Sequence, residues 1–443
     1  MRIQLSDHFT YSRLIRFVFP SIVMMIFTSI YGIVDGIFVS NFVGETPFAA
    51  INICWPMVML MSAIGFMVGS GGNAVISKAM GEGDDERANK YFSMLIYVTL
   101  GFGFLLSAIC LLFRKDICIM LGAEGELLEN CMIYMSVLMP VSPIFMLQNV
   151  FQTFCITAEK PKLGLYITVG AGVTNMILDA LFIVVFEWGL IGAAIATAMS
   201  QIIGGLFPLV YFSFRNSSRL RLGRTNLDFP VLLKTCTNGV SELMTNISLS
   251  LVNILYNYKL MDIAGEDGVN AYGIIMYVNF IFIAVFIGYS IGSAPIIGFN
   301  YGAQNKPELQ NMFRKSLVLL GGSGVLLTTL AEIFSRPLSA IFVSHNPVLM
   351  EMTTHGFRIY SIAFLVMGFN IFASAFFTAL GNGLVSAIIS FLRTLVFQVV
   401  PLMILPIFFD LDGVWAAIVV AEIIGVIVSF AFFAKLKQRY GYA

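Results

Sequence analysis

The feature that most constrains this chain is a recurrence. Long stretches almost free of charge, each long enough to cross a bilayer, alternate with short connectors that carry nearly all the ionisable residues. Of 443 residues 58% are hydrophobic and only 11% charged, where a soluble chain carries about 25% charged residues. In lipid the backbone must satisfy its own hydrogen bonds, and apolar runs of some 20 residues do so as helices. The windows fall at 14–40, 47–72, 91–113, 130–154, 163–186, 189–213, 231–258, 270–298, 314–335, 355–379, 384–408 and 413–434. The reading is an all-α integral membrane protein of twelve transmembrane helices. Its polar, basic first residues, MRIQLSDHFTYSRLIR, do not read as a cleavable signal peptide.

An even number of spans places both termini on one side, and the distribution of positive charge says which. With the termini cytoplasmic, 19 Lys and Arg fall on the inner side and 5 on the outer, while Arg393 lies within a span. Such a bias is the expected signature of cytoplasmic connectors. The longest basic connector, RNSSRLRLGRTNLDF, falls at the middle of the chain and reads as a cytoplasmic linker rather than a nucleic-acid patch.

The two sides of that linker repeat one another. A shift of 221 residues pairs Gly81 with Gly302, Asp84 with Asn305, Asn149 with Asn370, and Ile202-Ile203-Gly204 with Ile423-Ile424-Gly425. Six spans per half is an even number, so both halves share one orientation. The expected architecture is two six-helix lobes, 1–214 and 231–443, joined by a linker at 215–230. They are related by a pseudo-two-fold axis along the membrane normal, with a substrate path between them.

Asp179 is the single charged residue between Lys162 and Glu187. An ionisable group at such a position costs about 2.5–3.5 kcal/mol or more, so it is read as functional. Asn175 lies one turn earlier on the same face. Asp35, in YGIVDGIFVS, stands ten residues before Glu45, Asp179 eight before Glu187, and Thr197 ten after Glu187. These counts place Asp35, Asp179 and Thr197 at similar depth in the outer half of the membrane, with Tyr31 one turn before Asp35. Two carboxylates, an amide and a hydroxyl at one depth suit a site for Na⁺, a hard cation, or a proton relay.

The segments VDGIFVSNFVG, KAMGEGDDERANKYF with its echo YGAQNKPELQNMF, and NMILDALFI followed by GLIGAAIATAMSQ resemble the multidrug and toxic compound extrusion (MATE) family. The resemblance extends over essentially the whole chain. It implies a cation or proton site in the N-lobe at Asp35, Asn175, Asp179 and Thr197, with Tyr31 in the same pocket. One branch of the family has an acid deep in the seventh span and an aspartate in the tenth. Here the tenth window has no acid and the seventh only Glu242, near its start, so that branch's C-lobe Na⁺ site is not expected. The pattern is closer to the DNA-damage-inducible transporters and Gram-positive multidrug exporters.

In the C-lobe, Glu242, Arg393 and Glu422 are the remaining charges within spans, and Arg393 is placed to pair with Glu242 or Glu422. Glu242, Asn246, Asn253 and Arg393 are candidate substrate contacts, and the asparagines read equally well as interhelical contacts. Cys54, Cys110, Cys155 and Cys236 read as core residues. Cys118 and Cys131 flank the third connector, where a disulfide is one possibility and the spacing matches no metal motif. His8, His345 and His355 lie outside the spans and receive no role, and the acidic GEGDDER loop reads as a solvated connector.

The expected function is export of amphipathic, cationic organic compounds by alternating access, driven by H⁺ or Na⁺, in the plasma membrane. The expected partners are a small organic substrate and the bilayer, for a monomer without cofactor or nucleic acid. Alternatives are a lipid-linked oligosaccharide flippase of the same superfamily, which would want several cavity Arg or Lys where only Arg393 is available, and an unrelated twelve-span transporter. No nucleophile–base or metal motif suggests an enzyme.

Overall fold

The computed structural model describes residues 3–343 and 346–443, apart from the side chain of Glu45. Arg2 and His345 therefore lie outside the described residues. Among those described there is no strand, and connectors between helices are short. The first six spans are Tyr11–Phe42, Glu45–Gly81, Asp85–Leu112, Gly125–Thr157, Pro161–Val185 and Gly189–Ser213.

The second half is less interrupted. Phe229–Gly302 is helical over 74 residues, broken only at Gly265, whose φ of 62° and ψ of −150° are non-helical. A straight helix of that length would run about 110 Å, several times the roughly 30 Å hydrocarbon core. It therefore folds back at Gly265 and supplies the seventh and eighth spans. Lys306–Val343 is the ninth span, and Pro347–Ser361 with Phe364–Ala379, bent by 53°, forms the tenth. Gly383–Tyr440 covers 58 residues and turns back at Asp410, with φ 52°, to give the eleventh and twelfth. The chain thus has the twelve spans and two lobes that its hydropathy and repeat imply.

Several helices overrun the hydropathy windows. The second span continues to Gly81 rather than 72, the ninth begins at Lys306 rather than 314, and the tenth at Pro347 rather than 355. Window edges follow charge, whereas a helix goes on where charged side chains reach solvent and a capping residue ends it. The short helix Arg114–Met120 in the third connector was not anticipated either. The repeat extends to the caps. Asp84 accepts from the Arg87 backbone N–H at 2.9 Å, and its counterpart Asn305 accepts from the Glu308 N–H at 3.3 Å.

The lobes meet through glycines. A Cβ on Gly81 would collide with the Phe299 carbonyl, and one on Gly302 with the Lys78 carbonyl. The same reciprocity joins Gly71 to Thr235 and Gly239 to Met67. The second span therefore lies backbone-to-backbone against the seventh and eighth. Close approach of this kind replaces the hydrophobic drive that lipid removes.

Both the linker and the N-terminal segment are tied down at the same end of the bundle. In the linker Arg219 pairs with Asp85 at 2.6 Å, and the Gly223 N–H donates to Ser93 Oγ at 3.0 Å. The N-terminal segment bridges the lobes. The Leu5 N–H donates to Glu159 at 3.0 Å, the Phe9 N–H to Glu308 at 2.9 Å, and Lys315 donates to the Phe9 carbonyl at 2.5 Å. His8, given no role from sequence, lies 2.6 Å from Glu308.

Gly71→Leu and Gly302→Leu are expected to lose about 1–3 kcal/mol through overpacking. Thermal unfolding in detergent would read this as a lowered midpoint. Gly101→Ala, whose Cβ would meet open space, is expected to unfold like the unaltered protein.

Candidate functional site: a carboxylate pair in the N-lobe

The fifth span begins as a regular helix at Pro161, with proline where a missing N–H is harmless. Its α-helical part ends at Asp179, and Ala180–Val185 continues as a π-helix. A π segment widens the turn and is frequent at functional sites. The π turn, then a reversal with positive φ at Glu187 and Gly189 and Trp188 between them, leads into the sixth span. Trp188 is therefore at the hairpin turn, and its ring stacks on Phe182 with centroids 4.9 Å apart.

The first span packs along the fifth, and Gly172 makes the approach possible. A Cβ there would meet Phe27 at 2.6 Å and Tyr31 at 3.1 Å. Tyr31 thus lies across the fifth span one turn before Asn175. One turn further along, Asp35 stands beside both Asp179 and Asn175, near enough for their side chains to interact. Asp179 is 0% and Asn175 2% exposed, while Asp35 is half-buried.

These polar groups are not satisfied by one another. Both carboxylate oxygens of Asp179, Asp35 Oδ1 and Asn175 Nδ2 are buried without a hydrogen-bond partner among the described residues. Buried polar groups are nearly always paired, and an unmade bond costs on the order of 1–3 kcal/mol. Two adjacent carboxylates add mutual repulsion. A proton held between them, or a cation ligated by their oxygens, would relieve both penalties.

Two expectations are refined. Thr197 is half-buried on the sixth span, its carbonyl accepting from Ser200 at 3.0 Å, and no described hydrogen bond joins its hydroxyl to the carboxylates. Tyr134 of the fourth span, by contrast, lies near Asp35 and Asp179, and sequence reasoning missed it. A tyrosine in an apolar run resembles any core aromatic, so nothing in the sequence singled it out.

The four C-lobe candidates lie on the seventh and eleventh spans. Glu242, Asn246 and Asn253 form a stripe along the seventh span. The Asn246 amide donates to its own helix at the Glu242 carbonyl, 2.8 Å away, and Asn253 accepts from the Tyr272 hydroxyl at 2.8 Å. Arg393 sits in a second π segment, Leu392–Val396, at the eleventh span. Of its two possible partners it takes Glu422, with Nε 2.9 and 3.0 Å from the two carboxylate oxygens. Asn370 donates to the same carboxylate at 2.7 Å, and Ser429 donates to Asn370 at 2.9 Å. Glu422 is 0% exposed and fully partnered, so this cluster is a structural bridge between the tenth, eleventh and twelfth spans.

The cysteines are free, and three of them lie together. Cys118 and Cys131 form no disulfide, and all six cysteines are free. Cys54, read as an isolated core residue, joins them in one cluster.

The family model described as MatE matches residues 20–181 and again 243–404, once in each half. Multidrug export protein MepA of Staphylococcus aureus (strain MRSA252) is 22% identical over 434 residues, covering 97% of this chain and 94% of that protein. MepA of Staphylococcus haemolyticus (strain JCSC1435) is 23% identical over 431 residues, with the same coverage. Among solved structures, a MATE protein in complex with MaL6 superposes with a TM-score of 0.92 at 22% identity, covering 97% of both chains. An outward-facing multidrug resistance MATE transporter of the MOP superfamily superposes at 0.91, again at 22% identity, over 97% of this chain and 96% of that one. Each matched segment falls in one half of the chain, the first includes Asp35, Asn175 and Asp179, and the chain belongs to the MATE family.

Proposed function

We propose that this MATE transporter is a multidrug exporter of the plasma membrane, driven by inward movement of H⁺ or Na⁺ through the N-lobe site. The observation that carries this reading is the carboxylate pair. Asp35 and Asp179, with Asn175 beside them, bury oxygens that have no hydrogen-bond partner among the described residues. An isolated acid would suit a helix contact, but two acids on neighbouring helices suit a site that is filled and emptied.

In this reading the cation enters from the outer side, the side with few basic residues, and binds between the first and fifth spans. Repulsion between the carboxylates then disappears and the first span draws closer to the fifth. Tyr31, lying over Gly172, moves with it, and the π turn after Asp179 gives the fifth span slack to adjust. The substrate, bound between the lobes, loses its place as these spans repack, and is released outward. Ion and substrate thus compete through one element, which is what exchange requires. Both lobes belong to one chain, so a monomer is the working unit.

The glycine contacts and the N-terminal bridge support an arrangement closed at the end carrying Lys78, Lys306 and Lys315. By the charge bias that end is cytoplasmic, so the molecule would be poised to release substrate outward. An apolar groove of about 500 Å³ lies between the seventh and eleventh spans, walled by Leu251, Ile254, Leu395 and Val399. Such a wall suits the apolar part of an amphipathic compound, and the half-buried Glu242 suits its positive charge. Flipping a lipid-linked pyrophosphate would need free cationic side chains within the spans. Arg393, deep in the eleventh span, is bound to Glu422.

The deciding experiment is dye efflux from proteoliposomes under separately imposed H⁺ and Na⁺ gradients. Asp35→Asn and Asp179→Asn are each expected to reduce the gradient's effect on efflux about 5–150-fold, the span of a coupling free energy of 1–3 kcal/mol. Unchanged gradient dependence in both variants would sink the proposal. Orientation has its own check, in a background without reactive native cysteines. Glu266→Cys, between the seventh and eighth spans, is expected to react with an impermeant maleimide on intact cells. Thr225→Cys in the central linker is expected to react only after lysis, and the opposite pattern would invert the topology.

A further inference from the structure

Three chain segments bring their sulfur atoms together in the N-lobe. Cys54 comes from the second span, Cys118 from the short helix Arg114–Met120, and Cys131 from the start of the fourth span. Their Sγ atoms all lie within 4.8 Å of one another. Met135, one turn beyond Cys131, adds a thioether, its Sδ 3.4 Å from Cys118 Sγ. Cys118, Cys131 and Met135 are 0% exposed and Cys54 1%. Two of the thiols also make long contacts with backbone carbonyls, Cys54 to Cys131 at 3.8 Å and Cys131 to Ala50 at 3.7 Å.

We propose that Cys54, Cys118, Cys131 and Met135 form a binding site for a soft metal cation, Cu(I) first among them. Metal–thiolate bonds of about 2.3 Å place the sulfurs of a trigonal site roughly 4.0 Å apart. The cluster therefore closes on an ion with shifts below an ångström. The donors are all sulfur, with no imidazole or carboxylate oxygen among them, and thiolate with thioether selects Cu(I) over harder ions. Binding exchanges thiol protons for metal–sulfur bonds and leaves every sulfur in its oxidation state, so no oxidant is involved. A disulfide would join two of the sulfurs at about 2.05 Å and leave a third thiol and the thioether unused.

Access runs through the connector. Gly122 and Gly125, with φ of 95° and 54°, flank the strand of chain between the short helix and the fourth span, and a Cβ at either would meet open space. These two residues let the short helix swing Cys118 away from the other sulfurs, opening the cluster to the aqueous face. Cys54 neighbours Tyr134, which in turn neighbours Asp35 and Asp179. A bound ion would clamp the second span, the connector and the fourth span to one another.

The test uses the full chain in detergent, reduced with a phosphine, carrying Cys110→Ala, Cys155→Ala and Cys236→Ala. Ag(I) serves as a redox-inert stand-in for Cu(I) and is titrated against a competing chelator, with Zn(II) in parallel. The expected result is one Ag(I) per chain, a sulfur-to-metal charge-transfer band in the ultraviolet, and a raised unfolding temperature. Zn(II) is expected to bind more weakly. Met135→Leu, which keeps shape and volume, should weaken Ag(I) about tenfold, and Cys118→Ala by about a hundredfold, with the metal-free unfolding temperature of the Met135→Leu protein unchanged. Three ions per chain, Zn(II) binding more tightly than Ag(I), or an affinity indifferent to both substitutions would overturn the proposal.

Discussion

Lipid offers no hydrogen bonds, and most of this structure follows from that. It forces each span to be helical, so that backbone donors and acceptors are satisfied within the segment. It also sorts the polar side chains. In the C-lobe, Glu422 is held by Arg393 and Asn370, and Asn370 by Ser429, so a charged cluster sits in the membrane with its bonds made. In the N-lobe, Asp35, Asn175 and Asp179 are brought together with bonds unmade. The first arrangement fixes three helices to one another. The second is stable only with something added, and that requirement makes it a candidate for ion coupling.

The repeat gives the two lobes one scaffold but not one chemistry. Capping is shared, through Asp84 and Asn305, and so is the close approach that Gly204 and Gly425 allow to Gln148 and Asn370. Each lobe also carries a π segment, after Asp179 in the fifth span and around Arg393 in the eleventh. In both a widened turn adjoins an ionisable side chain. The chemistry then diverges. One lobe presents unpaired acids, and the other has closed its charge into a bridge.

Between the lobes glycines bring backbones into direct contact, and side chains such as Val18 against Gly292 and Ser77 against Gly298 pack beside them. Gly81 with Gly302 and Gly71 with Gly239 let the second span lie against the seventh and eighth. The N-terminal segment reinforces it from Glu159 on one lobe to Glu308 on the other. A swing of the lobes would have to release those bonds, which makes the segment part of the closure.

Span number, the two-fold repeat and the depth of Asp35, Asn175 and Asp179 were determined by the sequence alone. Hydropathy, a constant offset and residue counting are properties of the chain itself, and bilayer thickness converts them directly into position. Where connectors were concerned the same rules underestimated helix length, since charge marks the edge of lipid and not the end of a helix. Only the tertiary structure decided which residues at one depth face one another. Depth placed Thr197 level with the carboxylates, and the turn of each helix about its own axis adds Tyr134 near them. Arg393 had two acids within reach by position, and the packing of the eleventh span against the twelfth selected Glu422. Cys54, Cys118 and Cys131 are separated by up to 77 positions, and no spacing rule joins them. Rotation and packing of helices depend on every neighbour at once, which is why a linear pattern locates a residue along the membrane normal but not around it.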